Sequence, residues 1–208
     1  MKIEVKYTEK NATVDAIVAL AKSALEELEL SADIAQTEDA TVEGGVAVTV
    51  DNYTLPAQVD GQAYPKWLIE AGILRALKPK GLLVLCVANS ARSQIGEGIA
   101  RMLAPSDVRV QSAGSDPTSP RPEAIAVLKE VGVDASGHTS KNVADIDPQT
   151  VDTVITLCDA ESCPVFLGKA YRLHWGLPDP SGDDEESRMA AFRSARKELI
   201  KRFKVVFG

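Results

Sequence analysis

Leu82-Leu-Val-Leu-Cys86-Val-Ala-Asn-Ser-Ala-Arg92-Ser93 joins a continuous apolar run to a short polar loop. A run of this kind is typical of a strand that is buried on both faces of a parallel sheet. Helical spacing of apolar residues resumes after the loop, at Ile95 and Ile99. The stretch therefore predicts a strand, a loop and a helix, with the loop at the carboxyl end of the strand, where open α/β sheets bind their ligands.

The rest of residues 81–208 alternates between strand and helix patterns. The predicted strands cover residues 108–111, 153–157 and 171–174, and the predicted helices cover residues 122–131 and 184–203. Alternation of this kind predicts an α/β fold in which an open parallel sheet carries helices on both faces.

The loop that follows the apolar strand ending at Cys86 has the residues of an oxyanion site. A helix N-terminus presents unpaired N–H groups to an anion, and Arg92 can add planar, bidentate hydrogen bonds to it. The same positive groups favour a thiolate at Cys86, which makes Cys86 a candidate nucleophile. The candidate substrate-binding residues are Val87, Ala88, Asn89, Ser90, Ala91, Arg92 and Ser93. The alternative is that Cys86 is a small buried apolar residue.

Composition excludes several classes of protein. The 208 residues carry a net charge of -7, so we expect no nucleic-acid partner, and an anionic substrate needs a local positive field made by N–H groups and arginine. The sequence shows neither an apolar run of membrane-spanning length nor the apolar core of a secretory signal near Met1. The three cysteines are too few for a disulfide scaffold, and we expect a cytoplasmic protein that does not bind membranes.

Residues 85–94, Leu-Cys-Val-Ala-Asn-Ser-Ala-Arg-Ser-Gln, resemble the CX5R loop of low-molecular-weight tyrosine phosphatases, and more closely that of the thioredoxin-coupled arsenate reductases built on the same fold. Further stretches that fit in order are Ser112-Ala-Gly114, Gly137-His-Thr-Ser140, Leu157-Cys158, Cys163-Pro164 and His174-Trp-Gly-Leu-Pro-Asp-Pro180. The resemblance covers residues 81–205 and implies a phosphatase-like fold that reduces arsenate to arsenite.

The resemblance also assigns roles to the three thiols. It implies that Cys86 attacks arsenic, that Cys158 then attacks the Cys86 sulfur, and that Cys163 finally attacks Cys158. Thioredoxin would reduce the resulting disulfide. A helix over residues 158–163 would hold the two cysteines too far apart for a disulfide, so we predict that residues 159–162 are irregular or unwind. The alternative is a structural pair of cysteines that flank a turn.

The resemblance also bears on an acid and a cation site, and the residue pattern bears on the two histidines. Asp179 lies where the phosphatases keep their general acid, although an Asp before Pro is also common in turns. We expect no tightly bound cofactor, but some relatives bind a potassium ion at positions that match Asn89, Glu97 and Ser112. We predict structural roles for His138 and His174, because with three cysteines they match no zinc pattern.

The pattern of residues 1–78 predicts a separate small α/β domain, which the phosphatase-like domain over residues 81–208 follows. The order strand, helix, strand, hairpin, helix is that of a thioredoxin-like fold, and residues 2–30 and 60–77 loosely resemble short proteins with this fold. No cysteine precedes Cys86, so this domain cannot supply electrons from a thiol. We expect it to form a homodimer, to bind a partner or to stabilise the chain.

The sequence thus favours an arsenate reductase whose oxyanion site also accepts phosphate or sulfate as mimics of arsenate. One alternative is a low-molecular-weight tyrosine phosphatase with incidental thiols. Against it, no aromatic residue follows Asp179-Pro180, where tyrosine phosphatases of this fold usually place a tyrosine. The other alternative is a non-enzymatic thiol redox sensor or oxyanion-binding module, which would show no turnover.

Overall fold

The computed structural model describes residues 1–158 and 163–208, which divide into two compact units, Met1–Lys78 and Pro79–Gly208. Residues 159–162, which we predict to be irregular, lie outside the described residues. Among the helices of these two described ranges, none combines the length and the apolar character that a membrane crossing needs.

The first unit is a four-stranded mixed sheet with two helices. Its elements are β1 (Lys2–Tyr7), α1 (Ala12–Glu27), β2 (Asp33–Glu38), β3 (Val46–Val50), β4 (Tyr53–Thr54), the short strands β5 (Gln58–Val59) and β6 (Gln62–Ala63), and α2 (Lys66–Leu77). The strand order is β2-β1-β3-β4, with β1 parallel to β2 and antiparallel to β3. Alternate residues of β1, such as Ile3 and Val5, are buried, as expected of a strand with one face on the core. The likeness to thioredoxin stays a prediction.

The second unit is an open parallel sheet with helices. Its elements are β7 (Gly81–Cys86), α3 (Arg92–Leu103), β8 (Arg109–Gly114), α4 (Pro122–Lys129), β9 (Thr153–Thr156), β10 (Tyr171–His174) and α5 (Glu185–Phe207). The strand order is β10-β9-β7-β8, and every neighbouring pair is parallel. All six residues of β7 are buried, which confirms the prediction made from its apolar run.

The side chains of β7 alternate between the two faces of the sheet, and each face is covered by a layer of packed residues. On one face α3, α4 and α5 pack against one another, and a Cβ added at Gly96 of α3 would lie 2.7 Å from Val84. On the other face Leu83 and Leu85 pack with residues from the 3-10 turns and the loop before β10, namely Ile146, Val151 and Phe166. The α/β fold with a parallel sheet flanked by helices is therefore confirmed, and on the second face the helices are short 3-10 turns.

Strand β8 is longer than its sequence pattern indicates. The apolar pattern ends at residue 111, and Ser112 and Gly114 have low preference for strands. In the structure both residues pair with β7, in the register Val84 to Ser112 and Cys86 to Gly114. The cross-strand pairing overrides local preference, and it brings Ser112 and Gly114 beside the loop.

Candidate functional site

The nucleophile candidate and the arginine lie at the two ends of one loop. Cys86 is the last residue of β7 and Arg92 is the first residue of α3. Cys86 is only 3% exposed, and its Sγ lies 2.9 Å from the hydroxyl oxygen of Ser93. A hydroxyl at this distance can donate a hydrogen bond to a thiolate.

Gly114 allows β8 to approach the loop closely. A Cβ at this position would lie 2.2 Å from the carbonyl oxygen of Val87 and 2.9 Å from that of Cys86. These distances are shorter than any normal contact with a carbon atom, and both partners are backbone atoms. The position therefore accepts only glycine if the loop keeps its shape.

The loop turns its carbonyl groups away from its anion-binding side. The carbonyl oxygens of Val87, Ala88 and Ser90 accept backbone N–H groups of Asp116, Thr118 and Arg121 at 3.0, 3.0 and 2.9 Å. In a planar trans peptide the C=O and the following N–H point in opposite directions. The N–H groups of the same peptides therefore point to the other side of the loop, which is the direction that binding of an anion there needs.

Asn89 holds the loop in this shape. Its backbone φ is +46°, a left-handed conformation that asparagine tolerates better than most residues. Its side chain is buried and donates from Nδ2 to Ser93 Oγ and Ser112 Oγ, both at 2.8 Å. Its Oδ1 accepts the backbone N–H of Lys141 at 2.7 Å, and its carbonyl accepts Gln94 Nε2 at 2.8 Å. One residue thus connects the loop to α3, β8 and the segment after α4.

Arg92 is buried and held in a fixed orientation. One terminal nitrogen donates to the carbonyl oxygen of Leu177 at 3.0 Å, and the other lies 2.9 Å from Asp179 Oδ1. Arg92 Nε is buried and has no hydrogen-bond partner within the part of the chain that the structure describes. Because an unpaired buried donor is costly, a bound oxyanion would stabilise this arrangement. Asp179, 62% exposed, is placed beside the loop by this ion pair, and its role as a general acid stays a prediction.

The other two cysteines form a close pair. Strand β9 runs parallel to β7, so Cys158, which follows it, lies at the same edge of the sheet as Cys86. Cys158 is fully buried and Cys163 is partly exposed, and their sulfur atoms, which form no disulfide, lie 2.8 Å apart. Burial and, after it, the hydrogen bond with the adjacent Cys163 sulfur together raise the pKa of the Cys158 thiol to about 12. Cys158 is therefore a protonated thiol at neutral pH.

Comparison with known proteins agrees with this geometry. The sequence profile of the family described as low molecular weight phosphotyrosine protein phosphatase matches residues 81–207. The chain belongs to this family.

Several relatives of this phosphatase-family chain are named arsenate reductases. The arsenate reductase of Halalkalibacterium halodurans is 38% identical over 133 residues, which are 62% of this chain and 95% of the relative. That of Staphylococcus xylosus is 38% identical over 128 residues, 61% of this chain and 97% of the relative. A solved arsenate reductase in the oxidized state is 31% identical with a TM-score of 0.54, and the match covers 62% of this chain and 96% of that one. Another, in the phosphate binding state, is 34% identical with a TM-score of 0.51, covering 60% and 94%.

His174 lies beside the Cys158–Cys163 thiol pair, which the sequence does not indicate. We predict a structural role for it, yet its Nδ1 is 3.7 Å from Cys163 Sγ and 2.8 Å from Thr156 Oγ1. The register of β10 against β9, which pairs His174 with Thr156, produces this contact. No sequence pattern reports that register. His138 lies apart from the thiols, with Nδ1 3.0 Å from Gln94 Oε1, and its burial lowers its pKa.

The three residues of the candidate potassium site are brought together behind the loop. Asn89 and Ser112 are fully buried, and Glu97 is nearly so. Ser112 links the other two, since it accepts from Asn89 and donates to Glu97 Oε2. The cluster thus lies in direct hydrogen-bond contact with the oxyanion loop.

Proposed function

We propose that this chain reduces arsenate to arsenite, with Cys86 as nucleophile and Cys158 and Cys163 as the source of the electrons. The observation that carries the proposal is that one unit combines an oxyanion loop with a thiol pair whose sulfur atoms are 2.8 Å apart. A phosphatase needs a single thiol, because water completes its cycle. Reduction of arsenic from As(V) to As(III) takes two electrons, which two thiols supply when they form a disulfide.

The reaction begins with attack of the Cys86 thiolate on arsenic. An arsenate oxygen leaves as water after it takes up protons, one of them from Asp179, and a sulfur–arsenic bond remains. The Cys158 thiol gives its proton to an oxygen of the bound arsenic group as its sulfur attacks the Cys86 sulfur, and the electron pair of the sulfur–arsenic bond stays on arsenic, which leaves as arsenite. Cys163 attacks Cys158 and releases Cys86 as a thiolate. Two electrons have then passed from the cysteines to arsenic.

We propose thioredoxin as the reductant of the Cys158–Cys163 disulfide and the cytoplasm as the place of the reaction, where such reductants keep thiols reduced. Cys163 is the partly exposed member of the three thiols, so an external dithiol would attack there. Val165 and Leu167 follow it closely and are 72% and 94% exposed. Arg172 donates to the carbonyl oxygens of Phe166 and Gly168, at 2.9 and 2.6 Å, and so fixes the backbone on both sides of Leu167. Exposed apolar residues beside a redox cysteine suit a protein partner.

The relay is tested by arsenate-dependent NADPH oxidation coupled through thioredoxin and thioredoxin reductase. We expect turnover in the native chain and its loss in Cys86→Ser, Cys158→Ser and Cys163→Ser. If the native chain instead hydrolyses only aryl phosphates, and only Cys86→Ser is inactive, the protein is a phosphatase. Absence of both activities would favour a redox sensor or an oxyanion-binding module.

The docking of the reductant is tested in the same assay. Leu167→Asp should raise the KM for thioredoxin about tenfold and leave the KM for arsenate unchanged, because a buried interface contact typically contributes ~1–2 kcal/mol. Met102→Asp is the matched control, since Met102 is also an exposed apolar residue but lies on α3. Equal effects of the two substitutions would contradict the proposed docking surface. The homodimer through residues 1–78 stays a prediction, testable by the mass of the native chain in solution.

A further inference from the structure

The cluster of Asn89, Glu97 and Ser112 behind the oxyanion loop is contacted by positively charged side chains of the chain itself. Glu97 lies on α3, and its carboxylate is almost completely buried. Arg101 lies 2.6 Å from its Oε1, and the Lys141 ammonium lies 3.5 Å from its Oε2. One buried negative charge is therefore already matched by two positive groups.

The residues present do not fit a bound potassium ion. Such an ion needs free oxygen ligands that converge on it, but Asn89 turns its NH2 group, not its oxygen, toward Ser112. The amide oxygen of Asn89 is occupied by the backbone N–H of Lys141 at 2.7 Å. The Ser112 hydroxyl donates to Glu97, whose other neighbours are cations that would repel a further positive charge.

Lys141 makes two contacts that serve the same network. Its ammonium group reaches Glu97 and also donates to the carbonyl oxygen of Thr139 at 3.1 Å, and its side chain is 33% exposed. Its backbone N–H orients the Asn89 side chain, whose Nδ2 reaches Ser93 at 2.8 Å. Ser93 in turn contacts the sulfur of Cys86 at 2.9 Å. The ammonium group itself is linked to the Cys86 sulfur by an unbroken chain of contacts that runs through Glu97, Ser112, Asn89 and Ser93.

We propose that Lys141 is a tethered cation that takes the place of an alkali ion behind the loop, so that this chain is independent of potassium. Lys141 is a positioning residue: its ammonium group balances Glu97, and Glu97 keeps Ser112 and Asn89 in the orientation that the loop needs. Its effect on the reaction rests on the proposed function, whereas its effect on folding does not.

The first experiment measures thermal unfolding in potassium chloride and in choline chloride at equal ionic strength, which keeps screening constant. The native chain should unfold at the same temperature in both salts. Lys141→Met should unfold about 3 °C lower in choline chloride and regain most of that loss in potassium chloride. In this variant a hydrated potassium ion can bind the two oxygens that the ammonium group occupies in the native chain, Glu97 Oε2 and the carbonyl oxygen of Thr139. Lys197→Met, at an exposed lysine of α5, should be insensitive to the choice of salt.

The second experiment measures kcat and KM for arsenate in the same two salts. Lys141→Met should raise KM for arsenate about fivefold in choline chloride, potassium should reverse the change, and Lys141→Arg should behave like the native chain. Stabilisation of the native chain by potassium, or a Lys141→Met chain that is stable and indifferent to salt, would overturn the proposal. If Lys141→Met does not fold, the salt response of Lys141→Arg decides: indifference supports the proposal and dependence on potassium overturns it. If the native chain shows no arsenate turnover, the proposed function fails while the unfolding experiment still decides on Lys141.

Discussion

The contact between Gly114 and the loop provides the sharpest structural prediction. Gly114→Ala would place a Cβ 2.2 Å from the carbonyl oxygen of Val87 and 2.8 Å from the backbone nitrogen of Asn89. Neither atom can rotate away, as a side chain could, so the loop must shift by about an ångström to restore normal contact. That shift acts on the part of the loop that binds the oxyanion.

The size of the effect follows from two contributions. Overpacking in a well-packed region costs about 1–3 kcal/mol. The same shift weakens the hydrogen bond from Asp116 N–H to the carbonyl of Val87, now 3.0 Å long, which adds about 1 kcal/mol. A total of about 2–4 kcal/mol corresponds to a fall of roughly 5–15 °C in the unfolding temperature.

The assay compares Gly114→Ala with Gly137→Ala. Gly137 has no atom within 4 Å of an added Cβ and no positive φ, so the control makes the same chemical change without a clash. Unfolding temperatures would be measured by calorimetry, and phosphate binding by titration. We expect Gly137→Ala to resemble the native chain in both, and Gly114→Ala to lose stability and phosphate affinity. Native-like stability and phosphate affinity in Gly114→Ala would refute the account of the loop.

Three further predictions concern the reacting side chains. Arg92→Lys keeps the positive charge but loses the planar fork, so kcat/KM for arsenate should fall about 10²–10³-fold; a change below threefold would show that charge alone is sufficient. Because the pKa of Cys158 is raised to about 12, this thiol keeps its proton to higher pH than an ordinary cysteine. We would titrate the native chain and Cys158→Ser and subtract their ultraviolet thiolate absorbances. The difference should show no titration step below about pH 10, and a step near pH 8–9 would contradict the burial of Cys158. His174→Gln should slow the attack of Cys163 on Cys158, seen as accumulation of the Cys86–Cys158 disulfide by mass spectrometry in a single turnover. Thr156→Val keeps the imidazole and should not accumulate this disulfide. Equal rates of Cys163 attack in the native and His174→Gln chains would assign His174 a structural role.

Much of the fold and the central part of the site could be predicted from the sequence. The continuous apolar run of β7 indicates a central strand because a strand covered on both faces needs apolar side chains at every position. The positions of Cys86 and Arg92 follow from that strand and the helix after it, since the loop between them is too short to place them elsewhere. These features depend on residues that are close in the chain.

Other features could not be read from the sequence because they depend on pairing between distant segments. The glycine requirement at Gly114 and the contact of His174 with Cys163 arise from the register of parallel strands, which is decided by packing over the whole sheet. The same is true of Lys141, whose ammonium group meets Glu97 only after the segment behind the loop has folded onto α3.

The sequence by itself therefore determined the order of the elements, the oxyanion loop with its nucleophile, and the presence of two more thiols. Only the tertiary structure decided which groups surround them: the pairing of the Cys158 and Cys163 sulfurs, the orientation of Arg92 by Leu177 and Asp179, and the cation beside Glu97. The physical reason is that hydrophobic periodicity and loop length act locally along the chain. Burial, charge pairing and close contacts instead depend on atoms that only folding brings together.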